Sequence, residues 1–324
     1  MRWKSASSAF SKVKNVCKPF VLAVAGPTAS GKSELAIRLA QKLDGEIVCM
    51  DSMQIYRRMD IGTAKPTAEE QALIPHHMLD IVEPTASYAV ADYASDAEKV
   101  IAEIISRGKL PILTGGTGLY LKALMHGLTL GGAGGDEKIR ERLNAIAQEE
   151  NGKLILHQRL CEVDPLSGAK LHPNDVRRVV RALEVYELTG TPISQQKQDE
   201  PERPFEILPL AIDMPRDMLY SRLEKRVQQM MSMGLLDEVR ALLREGVDAG
   251  MQSMQGIGYK ELIPVAEGHE KLDKAVWQIV LNTRHYAKRQ GTWLRTEPKI
   301  VWISGSTEER MQQALRAMES AGRH

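Results

Sequence analysis

The stretch FVLAVAGPTASGKS, Phe20–Ser33, decides the fold of this 324-residue chain. Its apolar start, Phe20–Ala25, is typical of a buried strand, and the rest matches the pattern G-x-x-x-x-G-K-[ST]. Such glycines let the backbone wrap an anion, and the N-terminus of a following helix favours negative charge. Lys32 adds a cation, and the Ser33 hydroxyl suits a Mg²⁺ shell. The stretch predicts a P-loop for a di- or triphosphate, the alternative being an ordinary glycine turn.

The residues after the P-loop predict a parallel α/β sheet flanked by helices, a P-loop NTPase-like fold. Strands are expected at Glu46–Met50, Leu110–Leu113, Ile207–Ile212 and Lys299–Ile303, and helices at Glu34–Leu43, Ala91–Arg107 and from near Leu119. Glycines follow the carboxyl ends of strands in this alternating pattern. That arrangement places a binding site along the carboxyl edge of a parallel sheet.

The pattern changes after residue 130. Gly131–Gly135 has the composition of a flexible joint, Asp136–Gly190 is almost wholly helical in pattern, and Asp199–Pro204 resembles a return linker. We therefore predict a discontinuous catalytic core over residues 20–130 and 205–324, interrupted by an all-helical insertion over 131–204. Residues 1–19 form a basic extension, expected to be disordered, with a mitochondrial presequence as the alternative.

Composition excludes several classes of protein. Net charge is +1, from 43 Lys and Arg against 42 Asp and Glu, and the five basic residues of the stretch 1–19 leave the remainder at −4. Any RNA contact must therefore come from local patches. The longest apolar runs are far shorter than the roughly 20 residues that span a bilayer. Cys17, Cys49 and Cys161 fit neither a disulfide framework nor a zinc site, so we expect a reducing, cytoplasmic compartment.

Asp51 is the strand-terminal acid nearest to the P-loop in the predicted sheet. Motor-type NTPases hold Mg²⁺ with an Asp that ends an apolar strand, whereas the strand Leu110–Leu113 runs into Thr114 and glycines. A carboxylate at Asp51 would face a substrate on the P-loop and could accept a proton from a nucleophile, a role worth about 10²–10⁴ in rate. The alternatives are a helix N-cap or a metal ligand.

The sequence also contains signals weaker than the P-loop and Asp51. Gly115–Gly118 is either a plain strand-to-helix turn or a binding loop, and Lys65 is either solvated or directed at a phosphate. A helix with Asn174 as its N-cap would place Arg177, Arg178 and Arg181 on one side, which suits phosphates. The alternative is a solvated face paired with acids on the same helix.

The ordered motifs resemble those of the bacterial tRNA dimethylallyltransferases, or tRNA isopentenyltransferases, over nearly all of the chain after the stretch 1–19. The resemblance rests on Gly26–Ser33, Asp51–Arg57, Asp60–Pro66, His76–Asp80, Gly115–Leu124, His172–Val185, Ile257–Glu261 and Thr283–Arg295. The glycine-rich stretch Gly131–Gly135 and the basic extension depart from the family's pattern, and neither touches an expected site.

The resemblance implies transfer of a dimethylallyl group from dimethylallyl diphosphate to N6 of adenosine 37 in tRNA. It implies a diphosphate site, with Mg²⁺ at Ser33, made of Gly26, Pro27, Thr28, Ala29, Ser30, Gly31, Lys32, Ser33 and Arg222. It implies Asp51 as general base, assisted by Lys32 and Thr117. It implies an adenine pocket formed by Asp51, Ser52, Met53, Gln54 and Thr117. It implies that the helical insertion 131–204 binds tRNA. Contacts with the anticodon stem-loop are implied for Arg140, Arg177, Arg178, Val179, Val180, Arg181, Gln252, Ser253, Met254, Gln255, Gly256, Ile257 and Gly258.

Three other functions remain open at this stage. A P-loop kinase for a nucleotide or small molecule would also use Asp51 as a base. An isopentenyltransferase acting on free adenylate would not need the helical insertion. A non-catalytic RNA-binding module would leave the P-loop without a role. We expect a monomer that contacts no membrane.

Overall fold

The computed structural model describes residues 18–127, 135–196 and 202–322. These residues form two compact units: one combines the part up to Met125 with the part from Arg203 onward, and the other runs from His126 to Glu202. Most of the predicted extension 1–19, most of the joint 131–135 and half of the linker 199–204 lie outside the described residues. None of the helices in the described part of the chain combines the length and apolarity needed to cross a bilayer.

The larger unit contains a six-stranded, all-parallel sheet of order β3-β2-β4-β1-β5-β6. The strands are β1 Phe20–Ala25, β2 Gly45–Cys49, β3 His76–His77, β4 Leu110–Gly115, β5 Glu206–Ile212 and β6 Val301–Ile303. The helices of this unit are α1 Lys32–Leu43, α2 Ala68–Leu73, α3 Val90–Ser106, α4 Gly118–His126, α9 Arg216–Ser232, α10 Leu235–Arg244, α11 Tyr259–Ala266, α12 Leu272–Leu294 and α13 Thr307–Ser320. The predicted fold class is confirmed.

Both faces of the sheet are buried, as expected when helices cover a parallel sheet on two sides. Val21 and Ala23 of β1 pack into a core shared with α3, α4 and α12, whereas Leu22 and Val24 pack against α1 and α13. This alternation explains why β1 has no polar residue. The central position of β1 places the P-loop in the middle of the carboxyl edge.

Element boundaries differ from the sequence expectations in a few places. Helix α1 begins at Lys32 rather than Glu34, β4 continues to Gly115, and β6 begins only at Val301. The short edge strand His76–His77 was not predicted, because a two-residue strand has no period to detect.

The smaller unit is helical, with α5 Glu137–Gln148, α6 Gly152–Val163, α7 Pro165–Lys170 and α8 Val176–Thr189. Its core contains Leu143, Leu156, Leu160 and Leu183. The N-cap of α8 is Asp175, so the prediction of Asn174 is wrong by one residue.

Leu22 in β1 is fully buried between β1's neighbours and α1, whereas Leu73 at the end of α2 is 58% exposed. Replacing Leu22 by Ala removes buried methyl groups and leaves a cavity, so the free energy of unfolding should fall by about 2–5 kcal/mol. Urea denaturation would measure this change. Leu73→Ala is the control and should change little; equal losses in both variants would contradict the assigned core.

Candidate active site

The carboxyl ends of β1, β2 and β4 surround a small cavity of about 50 Å³. It is lined by Thr28, Lys32, Ser33, Ile47, Cys49, Asp51, Gln54, Thr63, Pro66, His76, Thr114, Gly115 and Arg226. Gly115 is required here, because a Cβ on it would lie 1.9 Å from the carbonyl oxygen of Met50. This close approach, with the bond from the Met50 N–H to the Thr114 carbonyl (2.7 Å), brings the ends of β2 and β4 together.

The P-loop backbone is folded for an anion. Ala29 and Gly31 both have positive φ angles, 64° and 91°, and the intervening Ser30 N–H donates to the Pro27 carbonyl at 3.2 Å. Successive residues of this kind form concave anion-binding nests of N–H groups. Helix α1 begins directly afterwards, and the N–H groups of its first turn have no intrahelical acceptor. The N–H groups of Lys32 and Ser33 therefore belong to a helix N-terminus that favours negative charge.

Lys32 is half-buried at this loop, with Nζ 3.4 Å from the Pro27 carbonyl oxygen. Burial and the neighbouring Arg226 guanidinium lower the pKa of Lys32 to about 8, against an opposing effect of Asp51. The ammonium form is therefore costly in the ligand-free site, and an anion beside it would restore its usual pKa.

Three arginines surround the P-loop besides Lys32. Arg222 and Arg226 are one turn apart on α9, and Arg226 lines the cavity, where burial lowers its pKa. The Arg222 Nη1 lies 3.5 Å from the position that a Cβ on Gly31 would take, and the Arg310 Nη1 lies 3.4 Å from it. The structure thus places Arg222 at the P-loop as predicted. Sequence reasoning missed Arg226 and Arg310.

Asp51 lies two residues after the end of β2 and lines the cavity, where its Oδ1 accepts the Met53 N–H at 2.9 Å. The residues after it form a turn and not a helix, so the helix N-cap alternative is wrong. The hydroxyl of Tyr93 on α3 supports this position by donating to the Cys49 carbonyl at 3.0 Å. A carboxylate is thereby fixed opposite the cations of the P-loop.

Thr117 and Ser52 connect the loops that follow β4 and β2. The Thr117 Oγ1 accepts the Ser52 N–H at 3.1 Å, and the Thr117 N–H donates to the Met50 carbonyl at 3.3 Å. The predicted residues Asp51, Ser52 and Thr117 therefore lie together.

Two predicted side chains, Gln54 and Lys65, are bonded to other groups of the protein around the loop 60–66. The Gln54 amide donates to the carbonyls of Thr63 and Ala64 and accepts from the Cys49 thiol. Lys65 is nearly buried and bonds Asp60, Asp80 and the Tyr56 carbonyl. Both expectations for Lys65, solvated or directed at a phosphate, are wrong, because two carboxylates enclose it.

The predicted tRNA residues fall into buried and exposed sets. Val179 and Val180 lie in the core of the helical unit, and Ser253 and Met254 are fully buried in the larger unit, with the Ser253 hydroxyl bonded to Pro84. Their side chains are therefore not on a tRNA-accessible surface, and these four assignments are corrected. Gly256 and Gly258 are buried and Ile257 is half-buried, whereas Gln252 and Gln255 are exposed. The Gln252 side-chain amide accepts the Tyr88 N–H with its Oε1 and donates to the Tyr88 carbonyl with its Nε2.

The arginines of the helical unit are held by acids on α8 and at its N-cap. Glu184 has no exposed surface, and its carboxylate bonds Arg140 at 2.8 Å and Arg181 at 2.7 Å. Arg178 pairs with Asp175 but is 73% exposed, and Arg177 is exposed as well. The alternative of a face paired with acids is thus correct for Arg181, while Arg177 and Arg178 project into solvent.

The donor set fits a Mg²⁺ ion that arrives with a phosphate ligand. Ser33 is exposed at the start of α1 and lines the cavity, where its hydroxyl could join the shell of such an ion. Within residues 18–127, 135–196 and 202–322, no group of three or more His, Cys, Asp or Glu side chains could hold a metal by itself. Mg²⁺ is commonly bound by one or two protein groups, substrate phosphates and water, which matches this arrangement.

Comparisons with known proteins agree with one another. A family model described as IPP transferase matches residues 54–297. A tRNA dimethylallyltransferase of Pelotomaculum thermopropionicum is 50% identical over 284 residues, which cover 87% of this chain and 90% of the relative. The solved tRNA isopentenylpyrophosphate transferase from Bacillus halodurans has a TM-score of 0.68 and 40% identity, covering 94% of this chain and 96% of its own. A eukaryotic dimethylallyltransferase captured acting on tRNA has a TM-score of 0.79 and 29% identity, covering 94% of this chain and 80% of its own.

The lowered pKa of Lys32 predicts a pH-dependent affinity for diphosphates. Below about pH 8 the ammonium is present and attracts the anion; above it, the free site loses that charge. The Kd of an alkyl diphosphate, fully ionised in this range, should therefore rise by up to about tenfold per pH unit above 8. Calorimetric titration from pH 7 to 9.5 would measure it. Lys32→Arg, whose charge does not titrate, should give a flat profile, and a flat profile in the parent protein would contradict the assignment.

Proposed function

The chain belongs to the IPP transferase family and is a transferase that prenylates tRNA, and from this premise we propose that it transfers a dimethylallyl group from dimethylallyl diphosphate to N6 of adenosine 37. The observation that carries the proposal is the placement of one carboxylate, Asp51, across a small cavity from a P-loop ringed by cations. Such a site can neutralise a leaving diphosphate at one end and accept a proton at the other.

The P-loop end stabilises the leaving group. In this proposal the allylic C–O bond of the donor breaks and leaves its electron pair on the diphosphate. The N–H groups at the start of α1, Lys32, Arg222 and Arg226 are aimed at the place where that negative charge grows, which is the most effective position for electrostatic catalysis. Bound at Ser33 together with the phosphates, Mg²⁺ would supply further neutralisation of the same charge.

The Asp51 end serves the acceptor. The exocyclic amine of adenine is a poor nucleophile because its lone pair is delocalised into the ring. As N6 bonds to the allylic carbon, Asp51 accepts the proton that N6 loses, which completes the exchange of bonds. A base inside the anticodon loop must first be turned out of its stack, at a cost of a few kcal/mol. Ser52 and Thr117 beside Asp51 form the wall against which it would be held.

A kinase reaction is a weaker interpretation of the same cavity. Strand β4, which lies between β1 and β2, ends in Thr114 and Gly115 and contributes no carboxylate to hold Mg²⁺ on a nucleoside triphosphate. The exposed arginines of the helical unit support an RNA acceptor over free adenylate, which offers a single nucleotide to bind. Arg177 and Arg178 would contact phosphates of the anticodon stem-loop.

Asp51→Asn should lower turnover by about two orders of magnitude, because the amide keeps the shape of the side chain and cannot accept a proton. Dissociation constants for tRNA and inorganic pyrophosphate should stay within about threefold. Mass spectrometry of tRNA incubated with dimethylallyl diphosphate would measure the product.

Asp213→Asn is the matched control, because Asp213 follows β5 at the same edge, pairs with Arg295 and does not line the cavity. It should retain activity. An Asp51→Asn enzyme as active as this control would remove Asp51 from the mechanism. Thermal stabilisation by ATP and not by dimethylallyl diphosphate would favour the kinase.

Arg177→Ala combined with Arg178→Ala should weaken tRNA binding and reduce the slope of log K against log salt by roughly two, since each arginine releases about one counterion. Filter binding between low and physiological salt would measure the slope. Arg38→Ala with Arg240→Ala removes two exposed, acid-paired arginines of the larger unit and is the control. Identical slopes in the two double variants would show that Arg177 and Arg178 do not meet phosphates.

A further inference from the structure

Gln290 on α12 connects the two loops on which the proposed reaction depends. Its side chain is only 7% exposed. The Oε1 atom accepts the N–H of Thr28 in the P-loop at 3.0 Å, and the Nε2 atom donates to the carbonyl of Gly116, after β4, at 2.8 Å. These contacts join residues that are 262 and 174 positions apart in sequence from Gln290.

The two contacts require one side chain to accept a hydrogen bond at one atom and to donate one at another. An N–H can only donate and a carbonyl can only accept, so the bridge needs an acceptor and a donor at a fixed separation, which a primary amide provides. A glutamate would keep the bond to Thr28 and present a second acceptor to Gly116. A methionine would fill the same volume and satisfy neither group. Because the contacts are buried, an unmet partner is costly.

The surroundings leave little freedom to this bridge. A Cβ on Gly116 would lie 2.1 Å from the Gln290 Nε2, so the amide occupies the space that any larger residue would need. One turn from Gln290, the ring of Trp293 occupies the place of a Cβ on Gly118 in the same loop. Helix α12 therefore packs tightly against the loop 114–118, and Gln290 extends that contact to the P-loop.

The bridge lies between the donor end and the acceptor end of the cavity. β1 and β4 pair directly as far as Ala25 and Gly115, and the strand pairing ends there. Thr28 begins the diphosphate cradle, whereas Gly116 precedes Thr117, which holds Ser52 next to Asp51. A change in the bridge would alter the separation of these two loops.

We propose that Gln290 is a positioning residue that sets the distance and angle between the donor's diphosphate and the amine of the acceptor base. It touches neither substrate and acts through Thr28 and Gly116. Alignment of reacting atoms is a large part of the rate in such a reaction, and small misplacements are expensive. The proposal rests on the prenyl transfer proposed above.

Misalignment has a distinctive chemical outcome. When N6 is displaced, water can attack the allylic carbon as the C–O bond breaks. The water oxygen bonds to that carbon, its proton passes to solvent, and pyrophosphate leaves, so that the product is the free prenyl alcohol. The fraction of pyrophosphate release that yields prenylated tRNA therefore reports on positioning. Loss of folded enzyme lowers the release of pyrophosphate and the yield of prenylated tRNA equally, so it leaves that fraction unchanged.

The test compares Gln290→Met and Gln290→Glu with Gln278→Met. Gln278 is a half-buried glutamine of the same helix whose amide bonds Asn282, away from both loops. With both substrates saturating, the Gln290 variants should lose about 10- to 100-fold in kcat. Their dissociation constants for tRNA and inorganic pyrophosphate should stay within about threefold, and the fraction of transfer should fall. Gln278→Met should match the parent. An unchanged fraction of transfer in the Gln290 variants would overturn the proposal.

Hydrogen exchange separates failure of this proposal from failure of the proposed function. In Gln290→Met, amides in the stretches 26–33 and 114–118 should exchange faster than in Gln278→Met, whatever reaction the enzyme performs. If these amides exchange faster in Gln290→Met but the parent protein does not prenylate tRNA, Gln290 connects the two loops as proposed, and the proposed donor or acceptor is wrong. Unchanged exchange would reject the bridge itself.

Discussion

The concentration of positive charge around the P-loop is the constraint on which the rest of the site depends. Lys32, Arg222, Arg226 and Arg310 surround a turn of eight residues, and Asp51 is the acid that faces the cavity. Burial lowers the pKa of Lys32, Arg226 and Arg310, and a neighbouring arginine lowers the pKa of Lys32 and of Arg310 further. The free site therefore stores unfavourable energy that a multiply charged anion relieves. This is why the cavity suits a diphosphate better than a neutral ligand.

The positions of these cations follow from the parallel sheet. The P-loop lies in the centre of the carboxyl edge because β1 is an inner strand, and α9 and α13 bring arginines to it from distant parts of the chain. The close packing of Met50 against Gly115 then places Asp51 beside the loop of Thr117. The cations around the P-loop and the packed ends of β2 and β4 therefore lie at the same cavity, separated by a few side chains.

Local signals in the sequence predicted five of the six strands of the described sheet, the P-loop and the strand-terminal position of Asp51, because each depends on neighbours within a few residues. Local signals could not show which cations of α9 face the cavity. The helix carries Arg222, Lys225 and Arg226, and only the fold decides which of them lie on the side of the P-loop. Gln290 lies in the stretch Thr283–Arg295 that carries the resemblance, but its two contacts could not be predicted, because its partners are far away in sequence. The errors at Val179 and Val180 had another cause. They were included because they interrupt a run of arginines, although helical periodicity places them on the opposite, apolar face.

The paired arginines of the helical unit raise a question of electrostatics, since an acid beside a cation reduces its attraction for phosphate. Burial resolves part of it. Glu184 is inaccessible, so it cannot meet RNA, and its carboxylate is fully used by Arg140, Arg181 and the Asp136 N–H. Two arginines against one buried carboxylate leave a net charge of one, while both guanidinium groups are held in a fixed orientation. A long cationic side chain loses rotamer freedom when it binds, and fixing it in advance reduces that loss. The helical unit thus gives up some charge for order at Arg140 and Arg181, whereas Arg177 and Arg178 are exposed to solvent, the latter beside Asp175.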